Sequence, residues 1–174
     1  ISSEYLHRAP WLTVRKDHLV LPNGNHILSY YILEYPDWVN TIAVTSDGQF
    51  VFIRQYRHGL QQTSYELCAG VCEKEDASPL ASAQRELLEE TGYGNGSWQE
   101  YMQISPNPST HTNITYCFLA TGVEKISEQH LEDTESLSVH LLTLAEVKEL
   151  LQKGEIKQAL MAAPLWKYIA EKGL

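Results

Sequence analysis

Runs of β-branched and aromatic residues, separated by turn residues, set the pattern of this chain and predict a protein richer in strands than in helices. Residues 11–20 and 26–34 read as two strands around Leu21-Pro22-Asn23-Gly24, a hairpin signal. Residues 40–45 and 49–55 form a second pair about Ser46-Asp47-Gly48. Further short strands are predicted at 65–69, 98–104, 114–120 and 137–142, with the loop Ser105-Pro106-Asn107-Pro108-Ser109-Thr110-His111 between the middle two. Helical periodicity takes over in three places. Ser78 and Pro79 start a helix as N-cap and first residue; Leu80, Ala83, Leu87 and Leu88 give its apolar stripe; Gly92 stops it. Thr143 with Glu146 makes a capping box for a second helix ending near Gly154. Residues 156–163 continue helically until Pro164, which is expected to break or restart the last helix. Strands in hairpins plus three helices imply a mixed sheet in an α/β/α sandwich.

The first helix carries the candidate chemistry. In Arg85-Glu86-Leu87-Leu88-Glu89-Glu90-Thr91-Gly92, three carboxylates stand at i, i+3 and i+4. With about 3.6 residues per turn they share one face, where like charges repel unless a cation relieves them. Hard oxygen ligands at that density suit Mg²⁺ or Mn²⁺, which in turn suit phosphate oxygens. A glutamate-rich helix alone usually marks a solvated face. Here a short apolar strand and an acidic loop with Glu73, Glu75 and Asp76 lead into it, so the acids project together from a strand, loop and helix.

Composition narrows the field. The 174 residues are 43% apolar and 20% charged, ordinary for one globular domain spanning 1–174. No apolar run approaches the roughly 18 residues of a membrane span. A net charge of −9 argues against a nucleic-acid groove and, with no basic extension, against a DNA-binding regulator. Cys68, Cys72 and Cys117 are odd in number and lack metal-ligand spacing, which favours free thiols in a reducing, cytoplasmic setting.

Residues 70–93 resemble the Nudix box, G-x5-E-x7-R-E-U-x-E-E-x-G-U, where U is apolar. Arg85, Glu86, Leu87, Glu89, Glu90, Gly92 and Tyr93 match every fixed position of its second half. The first half is one residue too long: counting from Gly70 puts Asp76 at the first acidic position, and counting back from Arg85 puts Ala77 there. The resemblance implies a Nudix-like α/β/α fold. It also implies a pyrophosphohydrolase with Mg²⁺ (or Mn²⁺) held by Glu86, Glu89, Glu90 and the carbonyl of Ala69, and Arg85 orienting the box carboxylates.

A second resemblance lies outside the box. Arg54-Gln55-Tyr56-Arg57 followed by Tyr65-Glu66-Leu67-Cys68-Ala69-Gly70 is similar to the Q-Y/F-R … E-x-P-A-G run of the ADP-ribose pyrophosphatase branch, with Cys68 in place of proline. Arg57 and Glu66 then fall at substrate-binding positions. Trp11, opening a hairpin like that branch's N-terminal extension (residues 1–38), becomes the candidate for stacking on adenine. The extension implies a homodimer. The branch's late acidic run matches 131–139, where Glu135 fits an acid but Ser138 replaces another. A serine cannot accept a proton from water at neutral pH as a carboxylate does, so the catalytic base is Glu135, Glu132 or Glu89. His111 is a lesser candidate on its loop. The implied reaction is hydrolysis of a nucleoside diphosphate sugar, ADP-ribose to AMP and ribose 5-phosphate. Another nucleoside diphosphate sugar, or a Nudix-fold nucleotide sensor without turnover, is the alternative.

Overall fold

Alternation of side chains across one central strand organises the molecule. In the computed structural model, which describes residues 1–131 and 134–173, β4 (Trp38–Thr45) is buried on both faces. Its even residues, Ile42 and Val44, pack with Phe50 and Phe52 of β5 (Phe50–Arg57) and Leu119 of β10 (Thr115–Lys125). They meet α2 (Leu144–Gln152) and α3 (Ala159–Glu171) through Val147, Leu151, Met161, Leu165 and Ile169. The odd residue Ala43 joins Val51, Ala120 and Leu87 of α1 (Pro79–Thr91) on the opposite face. Period-2 alternation thus sends each strand's two faces to different helices, and the expected α/β/α sandwich follows.

The sheet is mixed. β4 and β10 run parallel, while β5 pairs antiparallel with β4 and with β11 (Leu137–Leu142). Two short strands attach to it, β6 (Gln62–Glu66) on β5 and β7 (Cys68–Val71) on β4. The edge beyond β10 is completed by β8 (Tyr93–Gly94) and β9 (Ser97–Ile104). A separate three-stranded antiparallel sheet holds β1 (Ser2–Ala9), β2 (Leu12–Val20) and β3 (His26–Glu34).

The helix ends are those the residues announce. Ser78 accepts a bond from the Ala81 N–H at 3.2 Å. Gly92 closes α1 at φ 74° with its N–H on the Leu88 carbonyl. A side chain at Gly92 would also strike the Ser127 carbonyl, so glycine serves there twice. Of the expected stripe, Ala83 and Leu87 are fully buried and Leu80 and Leu88 partly. The Thr143–Glu146 capping box is present.

One strand went unforeseen and two expectations need correction. β1 escapes the pattern because seven of its eight residues are exposed, leaving no buried face to alternate. The single strand foreseen at 65–69 is two: at the fully buried Leu67 the chain passes from β5's side to β4's, and the Leu67 N–H points to the Met161 sulfur at 3.0 Å. Pro164 neither breaks nor restarts a helix. Residues 155–158 are not helical, and α3 begins at Ala159 and runs through Pro164. The physical reason is a substitute donor. Pro164 lacks the N–H that would bond the Leu160 carbonyl four residues back, and Asn40 Nδ2 takes that carbonyl at 2.8 Å.

Asn40→Ala should therefore lower stability by about 1–3 kcal/mol, the cost of an orphaned buried group. In a Pro164→Ala background the loss should shrink by about 1 kcal/mol, because the new N–H can take the carbonyl. Urea unfolding of the four proteins measures this; additive losses would show that the two residues do not share the bond.

Candidate active site

Helix α1 is laid so closely on β7 that its acids touch the strand. Gly70 leaves room for one of them: any Cβ there would overlap the Glu86 carboxylate. One turn on, Glu90 is 4% exposed and its Oε2 accepts the Ala69 N–H at 3.1 Å. The Cys68 thiol beside it favours the Glu90 carboxylate against the cost of burial. Burial raises that thiol well above its ordinary range, which keeps it a donor. The residue standing for the branch's proline is thus a partner of the buried acid, and its peptide pairs with Thr41 in the sheet.

Arg85 is the hub of the box. Its Nη1 donates to Glu86 Oε1 at 3.0 Å and Glu89 Oε2 at 2.9 Å, and its Nη2 to Asp76 Oδ2 at 3.0 Å and the Val71 carbonyl at 3.1 Å. The hydrogen bond to Asp76 is the main reason the Arg85 pKa rises. The same bond, aided by Ser82, lowers Asp76 to about 2. Of the two ways of counting the lengthened box, only Asp76 supplies a carboxylate, and it is tied to this arginine.

The charges are not balanced. Burial raises Glu86 although Arg85 opposes the shift. Burial pushes Glu90 up to about 8, with further repulsion from Glu86 and Glu135, opposed by Cys68 and the Ala69 N–H. Carboxyl groups raised in this way ionise readily only when a cation joins them. Among the described residues no three His, Cys, Asp or Glu side chains already stand as ligands around one point. Yet the bonds from Arg85 and Ala69 engage one oxygen each of Glu86, Glu89 and Glu90, leaving a set of hard oxygens facing one cavity. That donor set, with the close approach at Gly70, fits a divalent cation.

The cavity measures about 410 Å³; Glu86, Glu89, Glu90 and Glu135 line it with Arg85, and Trp11 forms its far wall. Trp11 is 77% exposed, its ring free to take a partner. His130, which the sequence did not single out, also lines the cavity. Its N–H bonds the Glu89 carbonyl at 2.9 Å, and Gln129 Nε2 bonds the Glu90 carbonyl at 2.7 Å. These contacts lay segment 126–130 over the C-terminal end of α1.

Other candidates lie elsewhere. The Arg57 guanidinium grips the buried Glu66 through Nε at 2.9 Å and Nη2 at 2.6 Å. Arg57 also lines a neighbouring cavity, with its fork already engaged on Glu66. Ser138, on β11, bonds His140 at 2.9 Å. His111 packs against Tyr35, with ring centroids 5.1 Å apart. Glu132 lies outside the described residues.

A strand and helix pressed together at a glycine, with acids turned into one cleft, mark a phosphoanhydride hydrolase of the Nudix class. The chain belongs to the NUDIX domain family, which it matches over residues 35–163; members generally need a divalent metal. Residues 1–33 match the nucleoside diphosphate sugar hydrolase N-terminal domain. The chain is similar to the ADP-ribose pyrophosphatase of Mycobacterium tuberculosis, 28% identical over 165 residues, covering 94% of this chain and 79% of that one. Another ADP-ribose pyrophosphatase, from Bacillus subtilis, is 29% identical over 160 residues, covering 91% and 85%. The solved structure of an ADP compounds hydrolase shares the fold, with a TM-score of 0.81 at 21% identity, covering 99% of this chain and 94% of that one. Among the described residues no helix is long and apolar enough to cross a membrane.

Asp76 sets a testable acid limb. Its folded pKa lies below the ordinary 3.8, so its contribution is complete above about pH 3.8 and fades as pH falls toward 2. Asp76→Asn should lower stability at pH 7 and flatten the dependence between pH 4 and 2. Denaturant titrations at pH 7, 4 and 2.5 check this; an unchanged acid limb would contradict it.

Proposed function

We propose that this protein hydrolyses ADP-ribose to AMP and ribose 5-phosphate with Mg²⁺ (or Mn²⁺) bound by Glu86, Glu89, Glu90 and the Ala69 carbonyl. The observation that carries this reading is the acidic cavity itself, where box carboxylates, Glu135 and the exposed Trp11 surround one volume. When bound, the cation offsets phosphate charge and makes water a stronger acid. Arg85 holds Glu86 and Glu89 in aim. Trp11 stacks on the adenine. Glu135 accepts the proton of the water that attacks phosphorus, the anhydride P–O bond breaks, and the displaced phosphate leaves as part of the second product. Glu89 is the alternative base.

Two further features belong to this reading. The N-terminal sheet exposes Leu6, Leu28 and Tyr31 at 48%, 70% and 53%, a surface that supports a homodimer through residues 1–38. Three free cysteines support a reducing, cytoplasmic setting. A nucleotide sensor is the second reading, favoured by the engagement of Arg57 on Glu66 and of Ser138 on His140.

AMP release from ADP-ribose, ADP-glucose and GDP-mannose, assayed with Mg²⁺ and with EDTA, tests the assignment, ADP-ribose being expected to react fastest and only with metal. Glu89→Gln or Glu90→Gln should lower kcat about 100-fold or more with the circular dichroism spectrum unchanged; wild-type turnover in either would reject the metal site. Glu135→Gln should cause a loss of similar order in kcat. Trp11→Ala should raise KM about tenfold, as loss of one stacked base implies. Thermal stabilisation by ADP-ribose without any product would favour the sensor.

A further inference from the structure

The hairpin of β2 and β3 closes in a tight turn over residues 21–25. The Leu21 N–H bonds the Asn25 carbonyl at 2.8 Å and the Gly24 N–H bonds the Leu21 carbonyl at 2.9 Å. At its base Val20 stands opposite His26. Just beyond, the ladder slips, so that Leu28 and Ser29 together oppose His18. Such a bulge re-aims side chains next to it. Alternation puts His18 on the same side of β2 as Val20, and His26 faces that side too. The two rings meet there: His18 Nε2 lies 3.0 Å from His26 Nδ1, with centroids 5.3 Å apart.

Nitrogens this close share one proton, one donating and the other accepting. Among the described residues neither ring bonds any other side chain. The other ring contacts differ in kind, His58 meeting the Tyr56 hydroxyl and His140 the Ser138 hydroxyl. A shared proton and a shared metal ion make the same demand, two lone pairs turned toward one point. Nitrogens about 2.0–2.1 Å from one ion stand about 2.9 Å apart at a right angle and about 3.3 Å apart at the tetrahedral angle. The observed 3.0 Å falls between these values. Imidazole suits Zn²⁺, Ni²⁺ and Cu²⁺, whereas Mg²⁺ and Mn²⁺ prefer oxygen. No third His, Cys, Asp or Glu among the described residues joins the pair, so water completes the shell.

We infer that His18 and His26 form a two-histidine site for a borderline transition-metal ion, Zn²⁺, Ni²⁺ or Cu²⁺, on the N-terminal sheet. The site differs in residues and in chemistry from the acidic cavity, which neither histidine lines. Hard oxygens there and imidazole nitrogens here sort two kinds of cation within one chain. An ion with one ligand from each strand ties β2 to β3 where the bulge interrupts their ladder. It binds only when the hairpin register is formed, so it stabilises this sheet by linkage. The site stands whether or not the acidic cavity cleaves a nucleotide.

The test is calorimetric titration of tag-free protein with Ni²⁺, in excess Mg²⁺ to occupy the oxygen ligands of the acidic cavity. His18→Gln and His26→Gln should each weaken Ni²⁺ binding about tenfold or more, because either change removes the chelate. His140→Gln, which alters a ring bonded to a serine, should leave binding unchanged. His26 is exposed and His18 half-buried, so both variants should melt with wild type in the absence of Ni²⁺. Added Ni²⁺ should then raise the melting temperature of wild type above that of either variant. Equal Ni²⁺ affinity in wild type and both variants overturns the site. Loss in only one of them also overturns it, since a single histidine then does the binding.

Discussion

The distance between α1 and β7 governs this structure. A glycine on the strand leaves room for the Glu86 carboxylate against the backbone, and Glu90 is held by the adjacent Ala69 N–H. The helix is pressed there by Ala83 and Leu87, both fully buried against strand residues. Hydrophobic packing thereby supplies the force that brings like charges together, a placement those charges would not choose in water. One arginine, itself linked to Asp76 across the loop, answers part of that charge. The remainder is a local field suited to a multivalent cation and, through it, to phosphate.

Much of this could be read from residue types. Ser78, Pro79 and Gly92 specify the ends of α1, and the spacing of Arg85, Glu86, Glu89 and Glu90 specifies which side chains share a face. The sandwich follows from strand alternation, since Ile42 and Ala43 must face opposite layers. What escaped reading depends on contacts distant in the chain. Whether Arg57 meets a ligand or Glu66 turns on how two strands cross near Leu67. His130 reaches the site because a segment folds back over the helix end, and its own neighbours give no sign of this. Likewise Pro164 reads as a breaker until one knows that Asn40 lies beneath it. β1 carries no burial signal because its sheet shows most of its surface to solvent. Local chemistry was visible and long-range partnership was not.

The layout also separates two demands. Charge is gathered on the helix side of β7, where a half-buried arginine and several acids set the electrostatics. On the other side stand the uncharged Asn40, Thr115 and Gln158 with one charge, Arg57, which is already paired with Glu66. A thin strand of four residues divides them, so changes that alter one side can leave the other intact.

The bond from Asn40 to the Leu160 carbonyl joins residues 120 apart in sequence. Contacts of such separation require a large loop to close before they reward the chain. The proline turn of α3 therefore has its substitute donor only when β4 and α3 are both in place. Because Leu160 and Met161 also line the cavity beside Arg57, that cavity exists only when this long-range contact has been made.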